Sequence, residues 1–319
     1  MTRIARLLAA LMVVGLLTLT ACSTGSSPTQ PESGPGNSGP ITVAHTQGET
    51  VLPNGPAQRI AVTDLGSLDT IKALGLADRV VALPKSGAIP DALAEFKADK
   101  YIDLGTMQDI NLEKMNQANP DLVIVGFRSA AKYPEFAKTW PTIDITYTDV
   151  DVVTGTIQAA KVIGTALGAT QQAEAKSAEL QATADGLKGI GQGRSALIVM
   201  TSGGKATLHG ENSRFGAVHQ LFGFSPAVPA IQADSHGQPA SFEAIAQANP
   251  DVMFIIDRDV AVGQQGQPAA EVLNNELINN TNAAKNGKLV YLDGGRWYVI
   301  IHGLDNVRTM LADAGAQAK

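Results

Sequence analysis

One short motif occurs twice in this chain and divides it into two related halves. The pentapeptide Gln-Ala-Asn-Pro-Asp begins at Gln117 and again at Gln247, 130 positions further on. Each copy follows a helical pattern and precedes an apolar run, at residues 122–125 and 252–256, that is typical of a buried strand. Because proline disfavours helix in the residue before it, both helices are expected to end at asparagine. Repetition of one helix–turn–strand unit predicts two related lobes.

A long helical pattern separates the two copies of the repeat. From residue 152 to 188, apolar residues recur three, four or seven positions apart, which is the spacing of one helix face. Gly164 and Gly168 are expected to break this pattern into two helices, because glycine costs about 1 kcal/mol inside a helix. Short apolar runs alternate with helical patterns on either side, which indicates mostly parallel sheets covered on both faces.

The predicted fold class is therefore α/β. Two Rossmann-like lobes, at residues 41–151 and 189–319, are expected to be joined by a connecting helical segment at residues 152–188. The chain of 319 residues has room for about two such domains.

The first forty residues are expected to lie outside this fold. Arg3 and Arg6 precede an apolar run that is too short for a typical membrane span, so residues 1–21 read as a secretory signal peptide. The signal ends Leu-Thr-Ala-Cys, which resembles a bacterial lipobox. Cleavage before Cys22, the only cysteine of the chain, and lipidation of its thiol are therefore expected. Residues 22–40 are rich in Gly, Ser and Pro and predict a flexible tether.

The net charge of the chain argues against a general nucleic-acid-binding function. The net charge is −6, whereas a general nucleic-acid binder normally carries a basic domain or stripe.

Arg128 and Arg258 occupy matching positions just past the strand of each repeat. Ligands of open α/β sheets bind beyond the carboxyl ends of strands, so both guanidinium groups are expected to face a cleft and to bind an anion. Two solvated loop arginines are the alternative.

Two glutamates also occupy matching positions in the repeat. Glu113 and Glu243 lie in a predicted first helical turn, after Asn111 and Ser241 as N-cap residues. A carboxylate at this place is favourable through the helix dipole alone. A structural role and a functional role of these glutamates therefore both stay open.

Five histidines are present, and none has the HxxxH or HxH spacing of a zinc site. His236 differs from the others because it lies in a polar loop with glycine and proline, just ahead of the second repeat. Tyr298 lies in a similar glycine-containing loop after the apolar run at residues 289–292. Imidazole and phenolate together could bind Fe(III), a hard ion that favours oxygen donors, but spacing alone does not establish that the two side chains meet.

The order of several motifs resembles a known family. The segments RIAVTDLGSLDTIKALGLADRVVALPK, NSRFGAVHQLFGF, SHGQPASFEAI and NGKLVYLDGGRWY, together with the central helical pattern, look like those of bacterial periplasmic and lipoprotein binding proteins for ferric siderophores. The likeness runs from about residue 41 to the C-terminus and is greatest to the group for catecholate siderophores. It implies two α/β lobes, a helical backbone between them, and a shallow cleft with little hinge motion.

The resemblance also implies roles for individual residues. Arginines of the family group surround the anionic iron complex, and they match Arg128, Arg214 and Arg258. A histidine and a tyrosine complete the iron shell when the siderophore offers only four oxygens, and they match His236 and Tyr298. Glutamates that dock the permease in related importers match Glu113 and Glu243. Arg296 and Trp297, beside Tyr298, have no place in this pattern.

The predicted function is that of a monomeric solute-binding lipoprotein of an ABC importer, anchored on the extracytoplasmic face of the cell membrane. It would capture a ferric siderophore and pass it to a permease with ATPase subunits, without being an enzyme. The Fe(III)-siderophore would be its transported ligand, and no permanently bound cofactor is expected. A haem- or corrinoid-binding protein of an importer is the alternative, with a tyrosine or histidine as axial ligand. A secreted hydrolase is disfavoured, because the sequence has no Gly-x-Ser-x-Gly elbow.

Overall fold

The computed structural model describes residues 39–231 and 236–319. The predicted signal peptide, Cys22 and nearly all of the predicted tether lie outside the described residues. The described residues lie in one compact unit, which contains a two-stranded, a five-stranded and a six-stranded sheet. The lobe boundaries therefore remain a prediction, and we use "N-terminal lobe" for residues 41–151 and "C-terminal lobe" for residues 189–319. No helix in the described ranges is long and apolar enough to cross a membrane.

The N-terminal lobe is built on a five-stranded parallel sheet, in the order β5-β4-β3-β6-β7. Its central strands are short apolar runs that are buried throughout, as expected of a parallel sheet covered on both faces. An antiparallel hairpin, β1–β2, precedes this sheet. The strands are β1 (Ile41–His45), β2 (Gly48–Leu52), β3 (Ile60–Val62), β4 (Val80–Leu83), β5 (Ile102–Asp103), β6 (Leu122–Val125) and β7 (Thr142–Asp144). The helices are α1 (Leu65–Ala73), α2 (Leu112–Ala118) and α3 (Tyr133–Phe136), with 3-10 helices at Ala77–Arg79, Asp91–Lys97 and Phe127–Lys132.

The connecting segment is two helices packed on one another, α4 (Val152–Leu167) and α5 (Thr170–Leu187). Gly168 ends α4 in the left-handed conformation, with φ of 67°, as a helix C-cap commonly does. The expectation that Gly164 also breaks the helix is wrong, because Gly164 lies inside α4. A Cβ atom at Gly164 would lie 2.6 Å from Cβ of Ala173. That glycine therefore permits the close approach of α5.

The C-terminal lobe holds a six-stranded sheet in the order β11-β9-β8-β12-β13, with β10 also paired to β8. Strands β10, β8, β12 and β13 are parallel, whereas β9 runs antiparallel to its neighbours β8 and β11; the sequence patterns did not predict β9 and β11. The strands are β8 (Ser195–Ser202), β9 (Lys205–His209), β10 (Ser225–Pro226), β11 (Gln238–Ala240), β12 (Val252–Asp257) and β13 (Leu289–Leu292). The helices are α6 (Ala217–Gln220), α7 (Phe242–Ala248), α8 (Arg258–Ala261), α9 (Ala269–Val272), α10 (Glu276–Asn279) and α11 (Asn282–Lys285), and a π-helical turn follows at Gly295–Val299.

The last helix, α12 (Leu304–Ala318), packs against α1, α4 and α5. Asp69 of α1 caps its N-terminus, because Oδ2 of Asp69 accepts hydrogen bonds from the amides of Asp305 at 3.0 Å and Asn306 at 2.9 Å. A Cβ atom at Gly303 would lie 2.5 Å from that same oxygen. The end of the chain therefore returns to the N-terminal lobe and ties the two lobes together a second time.

The repeat has the same local structure in both lobes. Helices α2 and α7 end as predicted, with Asn119 and Asn249 as C-caps in the left-handed region, at φ of 46° and 40°. Asparagine adopts this conformation more readily than most residues, so the stop comes from asparagine as well as from the proline after it. Asp121 then accepts hydrogen bonds from two backbone amides ahead of β3, and Asp251 accepts one from the first amide of β8. Each repeat therefore fastens its own strand to the neighbouring one.

Candidate functional site

A cavity of about 740 Å³ is lined by residues of both lobes. Strands β3 and β6 are neighbours at the centre of the N-terminal sheet, and the residues that follow them line the cavity. This is where ligands bind in open α/β sheets, beyond the carboxyl ends of strands. The wall includes Arg128 and Tyr147 from the N-terminal lobe and His209, Arg214, Tyr298 and His302 from the C-terminal lobe.

Three arginines surround the ring of Tyr298. The guanidinium carbons of Arg128, Arg214 and Arg258 lie 5.3, 5.2 and 5.7 Å from its centroid. Each arginine comes from a different place in the chain: the 3-10 helix after β6, the loop after β9, and the start of α8. The structure thus brings together all three arginines that the sequence analysis singled out. Arg258 does not itself line the cavity; it reaches Tyr298 from the side.

The environment of Tyr298 lowers the pKa of its phenol. Burial alone would raise the pKa of Tyr298, but a hydrogen bond from Arg258 and the positive charges of Arg258, Arg214 and Arg128 together bring that pKa below its ordinary value. Nε of Arg258 donates to the phenol oxygen at 3.1 Å. A phenolate is a hard oxygen donor, which suits a hard metal ion such as Fe(III).

Arg128 reaches across the cleft to the opposite lobe. Its Nη2 donates to the carbonyl of Tyr298 at 2.9 Å and its Nη1 to the carbonyl of Val299 at 3.4 Å. The preceding residue, Phe127, has a φ of 46°, which is uncommon for a bulky side chain and clusters at functional sites. Phe127 stacks on His302 with ring centroids 3.3 Å apart. This part of the site therefore depends on contacts between the lobes.

His302 is a site residue that the sequence analysis missed. It lines the cavity, and burial, followed by the charges of Arg128 and Arg214, lowers its pKa to about 3. The imidazole is therefore neutral at physiological pH and leaves the positive charge to the arginines. His302 stands four positions after Tyr298, just past the π-helical turn. That short spacing after the GGRWY motif was the one signal that could have drawn attention to it.

Asp64 places a carboxyl group in the same cavity wall. It is buried and caps α1, accepting hydrogen bonds from the amide of Ser67 at 2.7 Å and its hydroxyl at 3.0 Å. Burial raises the pKa of Asp64, against the opposing effects of these hydrogen bonds and of Arg128. Its role as the N-cap of α1 explains why the carboxyl group of Asp64 is present beside the arginines.

The structure does not bring His236 to the cavity. This residue is exposed and does not line the cavity wall. Its pairing with Tyr298 on iron therefore stays a prediction. Within the described ranges, no group of three or more His, Cys, Asp or Glu residues is arranged to hold a metal ion.

Arg296 and Trp297, which have no place in the pattern of the resembling family, contribute to the fold. Trp297 is fully buried in the core. Arg296 donates to the side-chain oxygen of Asn306 at 3.1 Å and pairs with Asp293 at 3.6 Å. Together they hold the π-helical turn against α12, and so fix the backbone that carries Tyr298.

Glu113 and Glu243 lie at equivalent, exposed positions in the first turns of α2 and α7. The predicted N-caps are confirmed, because Asn111 and Ser241 accept hydrogen bonds from the amides of Lys114 and Ala244. Backbone and Ser241 hydrogen bonds lower the pKa of Glu243. Neither glutamate lines the arginine-rich cavity.

Two α/β lobes joined by a helical segment, with an arginine-containing cavity lined by both of them, define the class of two-lobed solute-binding proteins. The sequence matches the periplasmic binding protein family over residues 60–294, and the chain belongs to that family. Petrobactin-binding protein YclQ of Bacillus subtilis is 33% identical over 311 residues, 95% of this chain and 96% of YclQ. Ferric-anguibactin-binding protein FatB of Vibrio anguillarum is 34% identical over 291 residues, 86% of each chain.

Solved structures of siderophore-binding proteins have the same fold as this chain. The crystal structure of YclQ superposes with a TM-score of 0.81, covering 88% of this chain and 99% of YclQ at 33% identity. The catecholate-siderophore binding protein VctP of Vibrio cholerae gives a TM-score of 0.80, with 87% and 99% coverage and 34% identity. The predicted α/β fold class and the resemblance to ferric-siderophore-binding proteins are thereby confirmed.

Proposed function

We propose that this chain captures a ferric siderophore of the catecholate class and delivers it to an ABC permease for iron uptake. The observation that carries this proposal is the arrangement of Arg128, Arg214 and Arg258 around Tyr298 at one cavity. Ferric catecholates are anionic, and guanidinium groups bind oxyanions through charge-assisted hydrogen bonds. Relatives that cover almost the whole chain are named for binding petrobactin and ferric anguibactin.

The protein acts in this proposal as a monomeric binding protein and not as an enzyme. The siderophore arrives with its iron already coordinated, so the protein makes and breaks no covalent bond. The direct test is a titration of the purified protein with the ferric complex of a synthetic tetradentate bis-catecholate, followed by tryptophan fluorescence. Saturable binding is expected. The proposal would be overturned if the purified protein left the ferric catecholate free and instead bound haem, as recognised by a Soret band.

Tyr298 is proposed to ligate the iron directly when the siderophore leaves two of six octahedral positions open. The visible charge-transfer band of a bound tetradentate complex is then expected to differ between the wild type and Tyr298→Phe. A hexadentate tris-catecholate, whose iron shell is already full, is the control and should give the same band with both proteins. An unchanged tetradentate spectrum in Tyr298→Phe would exclude ligation by this residue. His236 is the proposed second ligand and would have to reach the cavity from its exposed position.

Glu113 and Glu243 are proposed to dock the permease, because they stand at equivalent places on the two lobes. Replacing both by alanine should leave affinity for the ferric complex unchanged and should lower cellular iron uptake at least several-fold. Glu276→Ala is a matched control, because Glu276 is also exposed in a first helical turn after an asparagine N-cap. Uptake at the wild-type rate in the double variant would leave these glutamates with a helix-end role only.

Cys22 is proposed to anchor the protein by lipid on the extracytoplasmic face of the cell membrane. The proposal depends on the lipobox-like sequence Leu-Thr-Ala-Cys. Cys22→Ser is expected to move the protein from the membrane fraction to the soluble fraction and to abolish its labelling by a fatty-acid probe. Membrane retention of Cys22→Ser, together with absence of label in the wild type, would contradict the anchor.

A further inference from the structure

A hydrogen-bonded chain stands behind Arg258, outside the ligand cavity. Nη1 of Arg258 donates to the hydroxyl of Ser202 at 3.3 Å, while its Nε donates to the phenol of Tyr298 at 3.1 Å. The Ser202 hydroxyl in turn donates to Oδ1 of Asp259 at 2.9 Å. Asp259 is buried, at 6% exposure. Four residues thus form one continuous line from the C-terminal end of β8 to the phenol.

Asp259 is itself held in a fixed orientation. Its second oxygen, Oδ2, accepts a hydrogen bond from the amide of Gly203 at 2.7 Å, at the turn between β8 and β9. A Cβ atom at Gly266 would lie 2.9 Å from that oxygen, so the carboxylate is closely packed. The carboxylate fixes the direction of the serine proton, because the Ser202 hydroxyl has only one hydrogen to donate. A lone pair of Ser202 is therefore presented to Arg258.

Arg258 needs such support because of its position. It is the first residue of the four-residue helix α8, and its side chain is 30% exposed. A long, partly exposed arginine has many accessible rotamers, and ordering it costs conformational entropy. In the observed rotamer, Nε bonds to the phenol of Tyr298 while Nη1 is bonded to Ser202.

We propose that Ser202 and Asp259 are positioning residues, which hold Arg258 against Tyr298 and so prepare the site for an anionic iron complex. Asp259 orients Ser202, and Ser202 orients Arg258; Oδ1 of Asp259 also pairs directly with Nη1 of Arg258 at 3.9 Å. Neither Ser202 nor Asp259 lines the cavity. The consequence for affinity depends on the proposed siderophore function, whereas the positioning of Arg258 can be measured without any ligand.

The opposite end of β8 supplies a matched control. Ser195, the first residue of that strand, donates its hydroxyl to Oδ2 of Asp251 at 2.9 Å, the same length as the Ser202–Asp259 bond. No arginine of the cavity is joined to this second serine–aspartate pair by a hydrogen bond in the described structure. Ser195→Ala therefore removes an equivalent bond from the same strand without touching Arg258.

The first experiment measures proton exchange at Nε–H of Arg258 by nitrogen-15 NMR, with the signal assigned by its loss in Arg258→Lys. Exchange is expected to be about 10-fold faster in Ser202→Ala, because a guanidinium that has lost the partner of its Nη1 leaves the Nε bond to Tyr298 more often. Ser195→Ala should exchange like the wild type, and Ser202→Thr, which keeps the hydroxyl, should restore slow exchange. Wild-type exchange in Ser202→Ala would overturn the proposal.

The second experiment is a double-mutant cycle with the ferric tetradentate bis-catecholate. Ser202→Ala and Asp259→Asn are each expected to weaken binding about 5- to 10-fold, less than loss of the arginine itself. In an Arg258→Ala background, Ser202→Ala should cause no further loss, because it acts only through Arg258. An equal loss in both backgrounds would overturn the positioning role. Failure of the wild type to bind would overturn the proposed function instead, and the exchange measurement would still decide the role of Ser202.

Discussion

Replacement of Arg214 by alanine is expected to weaken binding of a ferric bis-catecholate by about 10- to 150-fold. A charge-assisted hydrogen bond contributes about 1.5–3 kcal/mol, and about 1.4 kcal/mol corresponds to one decade of affinity. Arg214 lines the cavity, and burial, together with the charge of Arg128, lowers its pKa. We expect its effect to exceed that of Arg258, which does not line the cavity and donates to Tyr298 and Ser202.

The matched control for Arg214 is Arg194→Ala. Arg194 also lies over an aromatic ring, with its guanidinium 4.9 Å from the centroid of Phe224. Its donors bind the carbonyls of Ala318 and Ile190, and it does not line the cavity. Isothermal titration of both variants with the ferric complex separates ligand contact from general loss of an arginine. Equal affinity in the wild type and Arg214→Ala would contradict the anionic-ligand site.

The second large effect concerns the pH dependence of stability. Burial, with the like charge of Asp305, raises the pKa of Asp69 to about 6 from 3.8, against opposing effects of the amides of Asn306 and Asp305 and the charge of Arg296. A raised carboxyl pKa means that folding favours the protonated form. Stability from Asp69 is therefore fully present below about pH 4 and is lost as pH rises through about 6. The shift corresponds to roughly 3 kcal/mol.

Asp69→Asn, which resembles the protonated acid, should match the wild type near pH 4. At pH 7.5 it should be more stable by up to about 3 kcal/mol in urea unfolding. The charged groups that face Asp69 are Asp305, Arg296 and Arg308, and all three are unchanged in this variant. A variant that lost the same stability at every pH would show that Asp69 acts only as a cap.

Asp251→Asn provides a control of opposite sign. Hydrogen bonds from Ser195 lower the pKa of Asp251, so its contribution to stability is present at neutral pH and lost on acidification. The variant should therefore be less stable than the wild type at neutral pH, with a difference that shrinks as pH falls. The two aspartates together test whether the burial of a hydrogen-bonded carboxylate decides the sign of its effect on stability.

Local patterns were enough to predict the architecture of the chain. The two Gln-Ala-Asn-Pro-Asp copies, the apolar strands after them and the helical pattern between them depend on interactions over a few residues. The spacing of apolar residues along the sequence indicates such local structure directly. Gly164 shows where this reasoning fails, because its place inside α4 depends on the closeness of Ala173 in the next helix. Strands β9 and β11 were missed for a similar reason, since their pairing is decided by their neighbours.

The site was only partly predictable. Arg128 and Arg258 follow from the repeat, because equivalent strand ends face the same side of each sheet. Tyr298 was a candidate from its glycine-containing loop, and the resemblance to a known family added Arg214. His302 was not predicted, since its role comes from stacking on Phe127 of the other lobe. His236 was selected for its loop, yet it lies exposed outside the cavity. The residues around a loop position in the sequence do not indicate which other loop it meets across a cleft.

By itself, then, the sequence determined the elements and the matched positions of the two repeats, because both arise from local backbone preference and apolar spacing. Only the tertiary structure decided that Arg128 would bind the carbonyls of Tyr298 and Val299, and that Asp69 would cap α12 through the amide of Asp305, 236 positions away. These contacts join segments that are far apart in the chain. They are set by the packing of distant elements on one another, as where α12 packs against α1 of the N-terminal lobe.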